Sequence, residues 1–497
     1  MSHTYEEFQR RTAELVDIGH AQGLLSWDQE TYMPARGTPL RARSQGTLAG
    51  IRHEKLTDPD FVALIEDLKG RDLQGDQAVN VREVDREQSR AVKIPRKLVV
   101  ELKETESLSH EAWVEARQEA DFTLFAPWLE KVLELQKRVA HLVGFEGAVY
   151  NAFLDEYEPH ARAEEIAPLF AQLRQRLVPL LEGIAATGKR PAEGILDRQF
   201  PLPEQEAFGR QVMADMGFDL EAGRLDLAVH PFCEGLSPDD VRLTTRYSPD
   251  MLQEALFGTI HETGHGLYEQ GLPQEHRGTP LCQSISLGIH ESQSRLWENM
   301  IGRSRPFWQH YLPRLKDYFP AQLEGVELHA FYAAINQVEA SSIRVEADEV
   351  TYNLHILLRF ELEMDMVSGG VEVDDLPTVW NERMEEYLGM RPTDDAQGVL
   401  QDVHWSLGLL GYFPTYTLGN LYAAQFCVQA QRDMPALMDQ VAEGELGGLK
   451  GWLNEKIHAP GRRLTAGELV REVTGEALSA DYFMDYLEGK FKALYDL

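Results

Sequence analysis

Along most of this chain, apolar residues recur every three or four positions, the spacing that lays a stripe along one side of an α-helix. Trp128, Leu129, Val132, Leu133, Leu135, Val139 and Leu142 form one stripe and predict a long helix ending near Gly144. Leu169, Leu173, Leu177, Leu180, Leu181 and Ile184 form a second. Phe331, Ile335, Val338, Ile343 and Val345 continue the pattern, as do Leu354, Leu357, Leu358 and Leu362. Stripes of this kind are core far more often than cofactor contacts. The breaks are short: Thr187 to Pro203, rich in Gly and Pro, and Ser368-Gly369-Gly370 to Pro377. No fixed-period repeat, low-complexity run or flexible linker divides the chain. A mainly α protein is expected.

One region follows a different period. Leu225, Leu227 and Val229 alternate with Asp226, Ala228 and His230. Val241, Leu243, Thr245 and Tyr247 alternate with Arg242, Thr244 and Arg246. Glu234 to Asp239 between them reads as a turn-rich connection, so a strand–loop–strand unit is predicted. An edge strand of such a sheet can bind an extended peptide by backbone pairing. A purely structural sheet fits the pattern equally well.

Chemistry enters immediately afterwards, at His261-Glu262-Thr263-Gly264-His265. Helix positions four apart share a face, so His261 and His265 would present two imidazoles to one cation. Glu262 would reach a water on that cation, as in the H-E-x-x-H arrangement of zinc hydrolases. Ser248, Pro249 and Asp250 predict the helix start, and Gly271 and Pro273 its end. Leu252, Leu256 and Ile260 supply its apolar face. Gly264 and Gly266 cost about 1 kcal/mol each against alanine; they read as room for close approach by a substrate or a neighbouring helix. The bland alternative is an amphipathic helix with two surface histidines.

A third ligand is needed. Ile285 to Trp297 is again helical in period and contains His290-Glu291-Ser292-Gln293, a polar cluster in an otherwise apolar helix. Glu291, 26 residues beyond His265, would complete a two-histidine, one-carboxylate site with a position left for water. Glu298, one heptad further on, competes with it.

Composition narrows the setting. The chain has 497 residues, 43% of them hydrophobic, enough for a large core. Its 81 acidic and 48 basic side chains leave a net charge of −33, which repels nucleic acid and anionic membranes. No basic, apolar leader and no membrane-length apolar run is evident. Cys233, Cys282 and Cys427 have no metal-ligand spacing and fit a reducing cytoplasm.

These segments resemble the carboxypeptidase Taq family of metallocarboxypeptidases. His230-Pro231-Phe232, Asp240 to Thr244 (D-x-R-x-T), His261 to His265, His290 to Gln293, Ile343 to Asp348 (I-R-x-x-A-D) and Gly398 to Trp405 (G-x-x-Q-D-x-H-W) match its motifs in order. Trp27 to Thr31 and Gly411 to Tyr416 look similar too, so the resemblance spans the chain. It implies one domain over residues 1–497, a large helical body whose two lobes enclose a deep cleft lined by the small β-sheet. It also implies a homodimer that releases single amino acids from peptide carboxyl termini with broad preference.

Under that reading His261, His265 and Glu291 bind the metal. Zinc is the default for these ligands; cobalt or another divalent ion fits similarly. Glu262 is the general base, and later the acid towards the leaving amine. His404, Tyr412 and Tyr416 are candidate donors to the oxyanion. Arg344, then Arg242, then Arg246 are candidates to hold the substrate carboxylate by a forked charged bond, although each could equally pair with a nearby acid. His230 and Gln401 are further candidates for substrate contact. Asp348 and Asp402 are candidates to orient the ligand imidazoles. An oligopeptidase or dipeptidyl carboxypeptidase shares the metal helix, and a non-catalytic helical scaffold is a more remote alternative.

Overall fold

The apolar stripes become helices where the chain supplies ends for them. The first spans Ala126–Val143 and stops at Gly144, whose φ of 90° suits glycine. The second spans Ala163–Thr187, and the last spans Tyr352–Ser368. The computed structural model describes residues 2–190 and 194–497. Over these, twenty α-helices accompany one three-stranded sheet, so the expected mainly α body with a small sheet is what forms. Residues 191–193, inside the expected break at Thr187 to Pro203, lie outside the described residues.

One stripe is shorter than its pattern. The helix carrying Phe331 ends at Ile335; Val338 and Ile343 fall in irregular chain, and Val345 in a single 3₁₀ turn at Arg344–Glu346. Polar side chains end it: the Asn336 amide donates to the carbonyls of Arg303 and Tyr332, and the Gln401 amide donates to that of Ser342. Val345 is left 71% exposed.

Most of the buried apolar residues form one cluster, which includes the fully buried Trp297, Trp308 and Trp380. The first four helices, within residues 2–93, share a separate small cluster around Phe8, Phe61, Ile65 and Leu68. No helix among the described residues is long and apolar enough to cross a membrane.

The sheet contains β1 (Gly223–Leu227), β2 (Cys233–Ser237) and β3 (Asp240–Thr245), in the order β1-β3-β2. β1 runs parallel to β3 and β2 antiparallel to it. The segment expected to be a connection is thus largely the strand β2. Its Gly and acidic residues carry little strand propensity; pairing of Cys233 with Leu243 and of Gly235 with Val241 makes it a strand instead. Val241 and Leu243 are buried on the face of β3 that meets the helix of the histidines. Arg242, on the opposite face, lies with its guanidinium 4.5 Å from the Trp27 ring centroid.

Candidate metal centre

The helix of the histidines spans Leu252–Gln270 and starts later than the Ser248 signal predicts. Ser248 bonds the Asp250 carboxylate instead of capping the helix. The stop at Gly271 is as expected. Glu291 lies on the helix Leu287–Arg295, whose first turn is held by two acceptors. Ser286 accepts from the Ile289 N–H at 3.1 Å, and the buried Glu158 accepts from the Gly288 N–H at 2.9 Å.

Backbone contact sets the spacing between these elements. A Cβ on Gly264 would fall 2.7 Å from the Gln293 carbonyl and the Ser294 Cα, so the two helices meet main chain to main chain. Gly264 is therefore room for a neighbouring helix. Gly266 makes room for Phe218 and Leu243. From the other side, the helix Pro414–Asp433 presents Gly419, where a Cβ would lie 2.4 Å from Glu291 Cγ.

The result is a triangle of atoms. His261 Nε2 and His265 Nε2 are 3.2 Å apart, and they lie 3.6 and 3.4 Å from Glu291 Oε2. Bonds of about 2.0–2.2 Å to a tetrahedral cation require ligand separations of about 3.3–3.6 Å, so this donor set fits a divalent ion. Among the described residues it is the only such grouping of three His, Cys, Asp or Glu side chains. Glu262 is buried beside it, and its Oε2 has no protein partner. Burial raises the Glu262 carboxyl to about 7 against the lowering effect of His261.

Glu298 is not in the triangle. From Leu296 to Gly302 the chain continues as a π-helix, which shifts Glu298 out of the α-helical register of Glu291. Its Oε2 instead lies 2.8 Å from His261 Nδ1. Arg295 joins the two acids, with Nε donating to Glu291 Oε1 at 2.7 Å and Nη1 to Glu298 Oε2 at 3.2 Å. Burial raises the Glu291 carboxyl, but the Arg295 charge together with His261 and His265 outweighs it and holds the group well below the ordinary carboxylate range. On the far side, His265 Nδ1 meets His290 Nδ1 at 2.5 Å. Asp348 and Asp402 do not touch either imidazole. Asp348 accepts from the N–H groups of Val350 and Thr351, and Asp402 pairs with arginines. Sequence reasoning weighed Glu298 as a rival ligand and missed its role at His261 Nδ1.

Each candidate arginine has an acidic partner. Arg344 is buried and gives Nε and Nη2 to Asp402 Oδ1 at 3.0 and 2.8 Å; its Nη1 donates to Tyr352 Oη at 3.2 Å. Arg242 forks onto Asp240 at 2.8 and 2.9 Å, and Arg246 pairs with Glu254. Gln401 spends its amide on the carbonyls of Ser342, Gln397 and Gly398, and it accepts from the Arg344 N–H. It positions the Arg344 segment. His230 is exposed on the connection between β1 and β2.

Tyr412 and Tyr416 lie 5.5 Å apart by ring centroid, and Tyr412 is 5.4 Å from His404. Burial raises both phenols, and the Glu291 charge adds to the effect, so both remain O–H donors on the side of the triangle. A cavity of about 790 Å³ opens beside His261, with Arg295, Glu298, Arg303 and Tyr352 in its wall.

Burial lowers the His404 imidazole from 6.5 to about 4, against the raising effect of Asp402 at 4.0 Å. The folded state therefore binds this proton less readily than the unfolded chain. The stabilisation is complete above about 6.5 and is lost as pH falls towards 4. Relative to His404→Gln, the wild-type protein should lose stability between pH 7 and pH 4.5. Equal urea midpoint differences at the two pH values would contradict this.

A buried cation site with a lone glutamate at its edge, set in a helical body, is the design of a metal-dependent hydrolase. Comparison with known proteins narrows the class. The model of the family described as carboxypeptidase Taq (M32) metallopeptidase matches residues 7–491. The chain belongs to this family of metal-dependent carboxypeptidases. It is 47% identical to thermostable carboxypeptidase 1 of Thermus thermophilus, over 98% of each chain. It is 39% identical to carboxypeptidase 1 of Bacillus subtilis, over 99% of each. The crystal structure of the M32 carboxypeptidase from Deinococcus radiodurans R1 superposes with a TM-score of 0.97 at 42% identity, covering 99% of this chain and 100% of that one.

Proposed function

We propose that this carboxypeptidase releases single amino acids with broad preference, using zinc held by His261, His265 and Glu291. The observation that carries the proposal is the triangle of 3.2–3.6 Å beside the unpartnered Oε2 of Glu262. Two imidazoles and a carboxylate suit zinc; cobalt or another divalent ion satisfies the same donors. When bound, the cation polarises the scissile carbonyl and acidifies a water. Glu262 takes the proton of the attacking water and passes it to the leaving amine. Tyr412 and Tyr416, as neutral phenols, donate to the oxyanion, with His404 packed against them. Glu298 accepts the His261 Nδ1–H, which leaves Nε2 free for the cation.

Arg344 is the group proposed to receive the substrate carboxylate. Its Nη1 reaches Tyr352, which walls the cavity, and its guanidinium lies 5.3 Å from the Tyr416 ring centroid. Arg242 faces away from the metal helix. His230 and Gln401 contribute at most indirectly, Gln401 by fixing the Arg344 segment.

A tetrapeptide with a free carboxyl terminus should be shortened one residue at a time, and the carboxamide of the same peptide should resist. Dipeptide release in the earliest time points would favour a dipeptidyl enzyme, and equal turnover of the carboxamide would remove the need for an anion-binding arginine. We further place the protein in the cytoplasm as a homodimer of single-domain chains, each with two lobes around the cleft. Its three free cysteines suit that compartment; sedimentation velocity tests the dimer.

A further inference from the structure

The histidine helix carries a third residue in the same row. Glu269 follows His265 by one turn, as His265 follows His261. Its Oε1 lies 2.7 Å from His290 Nε2, and His290 Nδ1 lies 2.5 Å from His265 Nδ1. Among the described residues, His290 is its only ion-pair partner. The sheet makes room for this carboxylate: a Cβ on Gly235 of β2 would fall 2.5 Å from Glu269 Oε2. Tyr268 backs His290, with ring centroids 5.4 Å apart.

Proton counting gives the chain of contacts a direction. A carboxylate only accepts, so His290 Nε2 carries the hydrogen and donates to Glu269. Neutral His290 then has a bare Nδ1, which accepts from His265 Nδ1–H. His265 in turn is left with its lone pair on Nε2, the atom in the triangle. Reversing the order would put a hydrogen on His265 Nε2, where the cation must bind. We infer that Glu269 is a positioning residue for the metal at one remove, setting the tautomer of His265 through His290. The inference rests on the proposed metal site and adds to it a carboxylate that touches neither cation nor substrate.

Zn²⁺ competition against a chromophoric chelator tests it. Outer partners of ligating imidazoles are worth about 10–100-fold in affinity, so Glu269→Ala and His290→Phe should each weaken Zn²⁺ by that factor. The double variant should lose no more than either single one, because both break the same chain. Glu269→Gln retains an acceptor oxygen and should lose less than about threefold. A Glu269→Ala affinity like that of the wild type, a Glu269→Gln loss as large as that of Glu269→Ala, or additive losses in the double variant would overturn the inference. Should Glu269→Ala fail to fold, ¹⁵N spectra of the cation-free wild-type protein at pH 8 decide instead. They should show His265 protonated on Nδ1; protonation on Nε2 overturns the assignment. His265→Ala is the separate control: if it binds Zn²⁺ as tightly as the wild type, the metal site itself is misplaced.

Discussion

Glu262→Gln is expected to retain its full complement of cation while kcat falls by about 10²–10⁴-fold, the usual contribution of a positioned proton-transfer group. Glutamine keeps the shape and burial of the side chain but cannot take a proton. The triangle of His261, His265 and Glu291 does not include Glu262, so metal content should not change. The unpartnered Oε2 means that no protein hydrogen bond is sacrificed, so folding should hold as well. The loss corresponds to about 3–5 kcal/mol of transition-state stabilisation. It should fall on kcat more than on KM, since the proton moves during the chemical step. Metal analysis alongside steady-state rates on a short peptide measures both. Turnover within a few-fold of wild type would mean that another group activates the water.

The second large effect concerns stability. Arg295 is 15% exposed and sits one turn from each of Glu291 and Glu298, two buried carboxylates about two turns apart on one continuous helical segment. Arg295→Ala leaves both acids short of a counter-charge, with only Arg303 still reaching Glu298, at 3.4 Å. Breaking a buried pair by removing one partner costs about 3–5 kcal/mol. The cation-free protein should therefore lose about that much in urea unfolding. Added Zn²⁺ should recover part of it by supplying positive charge at Glu291. An unchanged urea midpoint with chelator present would show that the arginine contributes nothing to holding the acids in place.

The parts of the candidate site that depend on local spacing are legible in the sequence. His261 and His265 needed only one helical turn between them, and Glu291 only an odd polar cluster in an apolar helix. The parts that depend on distant contacts or on irregular backbone were not. Glu298 looks like a rival ligand at a heptad spacing, but the π-helical stretch from Leu296 moves it behind His261. Asp402 carries no sign of being the shared partner of Arg344 and Arg359, which lie far from it in the chain. The fold shows the same division. Long amphipathic stripes mark their helices, whereas β2 is a strand only because β3 lies beside it. Val338 to Val345 follow a helical period, yet hydrogen bonds from side chains hold that segment in another shape. His290 stood next to the expected ligand, but its link to Glu269 and His265 requires two helices to be packed before it can be seen.

The glycines at 264 and 419 clamp the Glu291 helix between two bare stretches of main chain. Side chains in a core can be exchanged for others of similar volume with small adjustments of the elements around them. At 264 the gap is closed by peptide groups that no substitution alters, and at 419 by the Glu291 side chain against bare main chain, so such exchanges elsewhere in the interior have little leverage on the distance from Glu291 to the imidazoles. The reacting geometry is thereby insulated from drift in the hydrophobic sequence. A new side chain at either of these two positions would prise the carboxylate away.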